Sequence, residues 1–414
     1  MYKIGILNLG CPRNLVDAEN ILGRLKRKGY RIVDMEKADV AIVNTCAFIE
    51  EAKQESINAI LDLAGLKKEG RLKKIIVAGC LSQRYRDELR KELPEVDAFT
   101  GAAALNHGLS RFAITPRHYA YLKICESCLN NCSYCVIPKI KGRFSSLDID
   151  AVLKRVEMLR DSGISELNII GQDITAYGAD IYGRKMLPEL LRRIVKKAKR
   201  IGWIRLLYLY PDSIVNELLE IIAAEPKVCK YIDLPVQHIN DRILKLMHRR
   251  PAKKDILGLI DKIRKKIPAA AIRTSVIVGF PSETEEEFAG LLEFINDVKF
   301  DRLGAFTYSR EEGTPAYDFS GQIPEKVKLE RFNRIMSAQK LVSEENNRKF
   351  LGKTLVCLID EKAKGHYLAR SQYDAPEVDG TVYVKSSRRL KAGEFVKVKI
   401  TDTLDYDLVG EDVK

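Results

Sequence analysis

Cys128, Cys132 and Cys135 stand in the run KICESCLNNCSYCVIP with the spacing C-x3-C-x2-C. A thiolate is a soft ligand, and three at such close spacing suit a cuboidal iron–sulfur cluster or zinc. Three ligands to a four-iron cluster leave one iron open to a further molecule. Cys125 extends the run to C-x2-C-x3-C-x2-C. A four-thiolate site is therefore an alternative, although Cys125 closes the strand pattern YLKIC that precedes the loop.

A second set is dispersed. Cys11, Cys46 and Cys80 each follow an apolar strand pattern, in GILNLG-C, AIVNT-C and IIVAG-C. Parallel strands bring their carboxyl ends to one edge, so these thiols are expected to converge. Gly10 and Gly79 directly precede two of them, where a small residue lets the backbone turn closely. The alternative is three packed core cysteines. Cys229 and Cys357 fall in or beside strands and read as core, and Trp203 reads as packing.

The elements that must position these thiols follow from apolar patterning. Strands at Tyr2–Leu9, Ala38–Thr45 and Lys73–Ala78 alternate with helices at Asn14–Lys28 and Ile49–Leu66, a doubly wound, Rossmann-like parallel sheet. Six further strands follow: Ala120–Ile124, Leu167–Ile170, Ile204–Tyr210, Tyr231–Val236, Arg273–Val278 and Leu303–Tyr308. Six β/α repeats are too few for a closed eight-fold barrel, so a partial (β/α)6 barrel is expected, with chemistry at the carboxyl ends of its strands. A charged helix, Glu325–Phe350, leads into short β-rich segments at Thr354–Asp360, Tyr367–Arg370, Gly380–Lys385 and Glu394–Ile400. These read as a small antiparallel barrel. The expected class is thus α/β with three domains, 1–110, 115–345 and 346–414.

Polar residues at successive barrel strand ends are candidates to line one cofactor pocket: Gln172, Asp173, Gln237, Gly279 and Tyr308, with Ser309 beside Tyr308. Each also has a local reading. Asp173 could cap a turn, and Ser282 or Thr284 could cap the helix that begins at Glu285. His238, one of five histidines, is a candidate general base or a structural hydrogen-bonding residue.

Composition narrows the class. The chain has 414 residues and a formal net charge of +13, a balance that fits contact with nucleic acid or a ribonucleoprotein particle, or simply solvated helix faces such as LRRIVKKAKRIGWIR. No apolar run reaches the ~20 residues of a membrane span. The N-terminus reads as a strand and not a signal peptide, so a cytoplasmic location without membrane contact is expected. Nine cysteines in such a compartment point to metal or redox use and not to disulfides.

Together the C-x3-C-x2-C loop, the three strand-end cysteines and the C-terminal small barrel resemble the radical S-adenosylmethionine (SAM) methylthiotransferases over nearly the whole chain. GCPRNLVDAEN, VNTCAFIEEAKQESI, the DLPVQHIND stretch and YDAPEVDGTVYV resemble the RimO type. The transfer-RNA-modifying relatives read GCQMN at the first cysteine, where this chain has Pro12 and Arg13. Ser127 and Ser282 stand where that pattern has Gly, Cys125 where Ser is common, and Ser146 where Arg is usual. The resemblance implies two 4Fe-4S clusters, held by Cys128/Cys132/Cys135 and by Cys11/Cys46/Cys80, with SAM on the open iron of the first. It implies reductive cleavage of SAM to a 5′-deoxyadenosyl radical and hydrogen abstraction from the β-carbon of an aspartate in small-subunit ribosomal protein number twelve, free or in the ribosome. Sulfur presented at the second cluster and methylated by another SAM then joins that carbon. An electron donor such as flavodoxin or ferredoxin is implied as well. The C-terminal barrel resembles a TRAM domain, often an RNA binder. From Asn346 to Lys414, 13 Lys/Arg face 11 Asp/Glu, a near-neutral balance poorly suited to phosphate-driven binding. That favours a protein substrate, to whose basic surface Glu377 and Asp379 could be presented unless they are simply solvated. The same chemistry on a transfer RNA adenosine, and a zinc-stabilised RNA-binding protein without catalysis, are the alternatives.

Overall fold

The computed structural model describes residues 2–103, 105 and 111–413; the expected domain limit at residue 110 lies outside them. The N-terminal sheet holds β1 (Lys3–Asn8), β2 (Arg31–Ile32), β3 (Val40–Thr45), β4 (Lys74–Gly79) and β5 (Ala98–Phe99). All pair in parallel, in the order β2-β1-β3-β4-β5. The middle strand β3 is buried along its whole length, as its unbroken apolar run requires, and in β3 and β4 Val43, Ile75 and Val77 have no exposure. Connections leave β1 in opposite directions, so a crevice opens between the carboxyl ends of β1 and β3. The two-residue edge strands β2 and β5 are too short to leave a periodic signal. The first helix runs Pro12–Arg27, with Pro12 in its first turn and Cys11 at its N-cap.

The central unit begins with β6 (Tyr119–Lys123). The short antiparallel pair β7 (Cys125–Glu126) and β8 (Ser145–Ser146) frames the cysteine loop. Strands β9 (Glu166–Ile170) and β10 (Trp203–Leu206) join β6 in one three-stranded sheet. A second sheet holds β11 (Tyr231–Asp233), β12 (Ala271–Val278) and β13 (Arg302–Thr307). All are parallel within each sheet, and the two meet where the Leu209 amide donates to the Asp233 carbonyl at 3.2 Å. The six strands form the expected partial barrel. Two strands stop earlier than their apolar patterns suggest. β10 ends at Leu206, because Tyr208 turns into the left-handed region (φ 65). β11 ends at Asp233, ahead of Pro235, which has no N–H to donate.

Helix Glu325–Arg348 leads to a closed barrel of β14 (Thr354–Lys362), β15 (Tyr367–Ser371), β16 (Val382–Lys385), β17 (Phe395–Thr403) and β18 (Leu408–Val413), ordered β14-β15-β16-β18-β17. The fifth strand was not foreseen, since LVGEDV mixes Gly with charges. Nor is the barrel wholly antiparallel: β16 and β18 pair in parallel. The barrel packs on the amino ends of the central strands. There Arg205 Nη1 donates to the Gln372 carbonyl at 2.8 Å, and the Tyr119 hydroxyl donates to Glu377 at 2.6 Å. All nine cysteines are free thiols.

Candidate active site

The N-terminal thiols are brought together by glycine and asparagine. Gly10 has φ 84, and a β-carbon there would lie 2.8 Å from the Cys46 β-carbon. Gly79 has φ 95, and its β-carbon would lie 2.5 Å from the Thr45 carbonyl oxygen. Only glycine fits at either point, so the loops carrying Cys11 and Cys80 can close on Cys46. Asn14 ties the three segments: its amide donates to the Leu9 and Thr45 carbonyls, both at 3.1 Å, and its Oδ1 accepts from the Cys80 thiol at 3.8 Å. Asn44 in turn donates to the Asn14 carbonyl at 2.7 Å. Neither asparagine was singled out from sequence, although each lies within three residues of a cysteine. Cys11, Cys46 and Cys80 are mutual electrostatic neighbours. Burial raises the Cys80 thiol to about 12 and lifts Cys46 as well. Burial acts most strongly on Cys11, raising it, but the Arg13 guanidinium together with the Asn14 and Arg13 amides outweighs it and leaves that thiol below its ordinary value.

The loop thiols converge at the carboxyl end of β6. The Cys135 amide donates to the Cys132 carbonyl at 3.1 Å, and Asn130 donates to Cys128 Sγ from its amide at 3.4 Å and its side chain at 3.3 Å. Burial pushes Cys128 up to about 11 and Cys135 to about 12. Such thiols stay protonated until a metal compensates the charge. Cys125 is fully buried, with its thiol directed to the Asp173 carbonyl at 3.6 Å. A β-carbon on Gly171 would lie 2.5 Å from that sulfur.

A cavity of about 660 Å³ fills the barrel between these sets. Cys128, Cys132 and Cys135 line it, as do Gln172, Gln237, Tyr308 and Ser309. The N-terminal domain contributes Pro12, Arg13, Phe48 and Ile49, which follow Cys11 and Cys46, while Cys11, Cys46 and Cys80 themselves do not line it. Pro376 and Val378 close the far side. Gln172 donates to Glu126 at 2.7 Å, and its buried Oε1 has no hydrogen-bond partner among the described residues, so it is available to a polar ligand.

Two expected pocket residues lie off the lining. Asp173 accepts from Thr175 N at 2.9 Å and from the Asn130 side chain at 2.8 Å. It thus orients the amide that faces Cys128. Gly279 has φ 71 and packs against Lys328, while its amide donates to Glu283 at 2.7 Å. His238 is spent structurally: Nε2 lies 3.0 Å from Glu283, and Nδ1 accepts from the Asn240 amide at 3.0 Å. Thr284, not Ser282, caps the helix at Glu285. Glu377 receives the Tyr119 hydroxyl, and Asp379 receives the Tyr231 hydroxyl at 2.5 Å with a side chain only 3% exposed. Those two carboxylates tie the C-terminal barrel to the central one; Asp379 is enclosed there and is not free to meet a basic partner, whereas Glu377 remains exposed.

Charged contacts fix the N-terminal domain to the barrel. Lys123 pairs with Asp17 and Glu126, and Lys141 with Asp17 at 3.3 Å, all buried. Burial works to raise the Glu126 carboxyl, yet Lys123 and Lys141 bring it to about 2. Arg84 and Lys53 both pair with buried Glu311, at 2.6 and 3.2 Å.

Among the described residues, no three His, Cys, Asp or Glu side chains are gathered around a single-ion position. The partial barrel with three thiols at its carboxyl edge, opening on a cofactor-sized cavity, defines a radical SAM enzyme. Residues 122–295 match the radical SAM superfamily, 3–101 match uncharacterized protein family UPF0004, and 351–413 match the TRAM domain. The chain belongs to the RimO family. It is 47% identical to the ribosomal protein uS12 methylthiotransferase RimO of Clostridioides difficile (strain 630), over 99% of each chain, and 48% identical to that of Thermoanaerobacter sp. (strain X514), over 99% of this chain and 100% of the relative. The fold is shared with the radical SAM methyltransferase TsrM of Kitasatospora setae, solved with cobalamin and a [4Fe-4S] cluster (TM-score 0.54, 13% identity, 88% of this chain and 80% of that one). It is also shared with the cobalamin-dependent SAM radical enzyme OxsB (TM-score 0.53, 11% identity, 83% and 56%).

Proposed function

We propose that the chain is a radical SAM methylthiotransferase that installs a methylthio group on the β-carbon of an aspartate in ribosomal protein uS12. What supports this reading is that Cys128, Cys132 and Cys135 line a cavity whose wall also carries Pro12, Arg13, Phe48 and Ile49, the residues beside Cys11 and Cys46, with Arg13 an electrostatic neighbour of both Cys11 and Cys135. Cys128, Cys132 and Cys135 would hold one 4Fe-4S cluster, and Cys11, Cys46 and Cys80 a second. Bound there, the clusters and SAM supply the radical and the sulfur that acid–base chemistry cannot. The protein's own contribution is positional. Asn130 donates to Cys128, Gln172, Gln237 and Tyr308 offer polar groups to the SAM pocket, and the Lys123–Asp17 and Arg84–Glu311 contacts hold the two thiol sets across the same gap. The three units are taken as 1–110, 115–345 and 346–414. No described helix is long and apolar enough to cross a membrane, and a cytoplasmic enzyme drawing electrons from flavodoxin or ferredoxin fits this reading.

The test is anaerobic reconstitution with iron, sulfide and SAM, followed by assay on purified uS12 and on transfer RNA. A mass gain on uS12 equal to a methylthio group replacing hydrogen, mapped to an aspartate, is expected. Methylthio-adenosine with unmodified uS12 would overturn the reading.

A further inference from the structure

Three arginines line the cavity, and their partners differ. Arg273 is paired with Asp233 at 3.0 Å and Asp379 at 3.5 Å. Arg249 donates to the Pro235 carbonyl, lies over the Tyr210 ring at 4.4 Å and sits beside Cys132 at one end. Arg13 is placed between the two triads, an electrostatic neighbour of both Cys11 and Cys135. Its Nη1 donates to the Gly171 carbonyl at 3.0 Å, and its guanidinium lies 4.5 Å over the Tyr208 ring. Among the described residues no carboxylate lies within ion-pair distance of it, and the Glu126 carboxylate, committed to Lys123 and Lys141, acts on it only from further away.

A guanidinium carries five N–H donors in a planar fork. The Gly171 carbonyl and the Cys11 sulfur engage part of that fork, and the remainder borders the cavity. A half-buried guanidinium with donors facing a cavity is a seat for an anion that enters it. Tyr208, fixed by its left-handed backbone and by the bond from its amide to Asp233 at 2.8 Å, supports one face of the fork and prevents it from swinging away. What is left is a rigid cationic seat between the place where hydrogen would be removed and the place where sulfur would be delivered.

We infer that Arg13 binds the side-chain carboxylate of the target aspartate and so fixes its β-carbon between the two triads. The inference rests on the uS12 reading above. Arg13 is a positioning residue: no bond to it forms or breaks. A carboxylate on a planar guanidinium has its adjacent carbon held in a defined direction, which a lone ammonium would not achieve.

The test uses the reconstituted full chain and two fluorescein-labelled uS12 peptides, one with the target aspartate and one with asparagine in its place. Fluorescence anisotropy gives binding, and mass spectrometry gives modification. Wild type is expected to bind the aspartate peptide about tenfold to a hundredfold more tightly, the range for a charge-assisted bond in a dry site. Arg13→Gln should reduce that preference to near unity, and Arg13→Lys should restore part of the binding with poorer turnover. Iron content is measured on each variant, so that loss of a cluster is separated from loss of the seat. Should Arg13→Gln fail to fold, Arg13→Lys carries the comparison, and an aspartate preference undiminished in it would overturn the inference. Equal binding of the two peptides by wild type, or a preference that survives Arg13→Gln, would overturn the inference while leaving uS12 modification standing. Failure of wild type to bind or modify the aspartate peptide would remove the uS12 reading itself.

Discussion

Glu166 and Arg370, 204 positions apart, meet in a buried ion pair at 2.6 Å that joins the first residue of β9 to the last turn-ward half of β15. Arg205 reaches the other Glu166 oxygen at 2.9 Å. Removing one partner of such a pair strands the other in a low-dielectric site. Arg370→Ala is therefore expected to destabilise the chain by about 3–5 kcal/mol, read as a lower denaturation midpoint. Limited proteolysis should cut first between the central unit and the C-terminal barrel. Cleavage elsewhere, with an unchanged midpoint, would refute the role given to this pair.

The same interface carries a pH dependence. Asp360 lies 2.7 Å from His118 Nε2 and accepts from Arg370 at 2.8 and 2.9 Å. Burial alone would raise its carboxyl; the bonds from His118 and Arg370 outweigh that and hold it below its ordinary value. A carboxylate with a lowered folded value contributes stability that is complete above the unfolded value of about 3.9 and is lost as pH falls through the folded one. Asp360→Asn should cost about 2 kcal/mol at neutral pH and flatten the acid limb of the stability curve below pH ~4. An acid limb identical to wild type would show that other carboxylates set it.

Much of this was legible in the sequence, and what was not has physical causes. The grouping of the cysteines into two sets could be read because thiolate spacing and strand-end position are local signals. Arg13 was legible only as a marker of type. Its meaning depends on Tyr208 and Gly171, which are distant in sequence. Asp173 and Gly279 were correctly placed at strand ends, yet a strand end has two sides: Asp173 turns to Asn130 and Gly279 to Lys328. Asp379 looked like a solvated or partner-facing charge because its tyrosine partner, Tyr231, lies more than a hundred residues away; Glu377 is exposed as expected, though it also holds the distant Tyr119.

Ser282 stands where the family pattern has Gly, and its φ of 64 gives the reason for that preference. A side chain in the left-handed region costs about 1–2 kcal/mol, offset here by the Arg242 bond to Ser282 Oγ at 3.1 Å. Ser282→Gly should raise stability by about 0.5–1 kcal/mol after the greater freedom of the unfolded chain is counted. Ser282→Ala keeps the β-carbon and loses the hydroxyl, so it should lower stability slightly. Chemical denaturation of the two variants distinguishes relief of backbone strain from loss of the hydrogen bond.

Iron content separates the two thiol sets. If Cys128, Cys132 and Cys135 hold one cluster and Cys11, Cys46 and Cys80 another, Cys128→Ala and Cys46→Ala should each bind about four fewer irons than wild type after anaerobic reconstitution. Cys125→Ser should bind as many as wild type, because its thiol is buried against Gly171 and Asp173. Loss of iron from Cys125→Ser would assign the thiol to the loop site. Unchanged iron in Cys46→Ala would reduce the N-terminal thiols to core residues.

Glu311 offers a way to loosen one triad from the other without touching a thiol. Its carboxylate is 1% exposed and is held by Arg84 at 2.6 Å and Lys53 at 3.2 Å, both from the N-terminal domain, while Ser309 donates to it at 2.7 Å. On the proposed assignment, SAM cleavage would need only the barrel and its own three thiols. Methylthio transfer also needs the N-terminal thiols aligned across the cavity, and a misplacement of about 1 Å can cost a hundredfold in rate. Glu311→Gln removes the charge, keeps the shape and leaves two cations without their counter-ion. It is expected to lower the ratio of methylthiolated uS12 to SAM consumed by tenfold or more, consistent with loss of about 1.4 kcal/mol of alignment at the transition state. Product and SAM consumption are measured in the same anaerobic reaction. A parallel fall in both, with the ratio unchanged, would mean that Glu311 supports the barrel itself and not the alignment of the two halves.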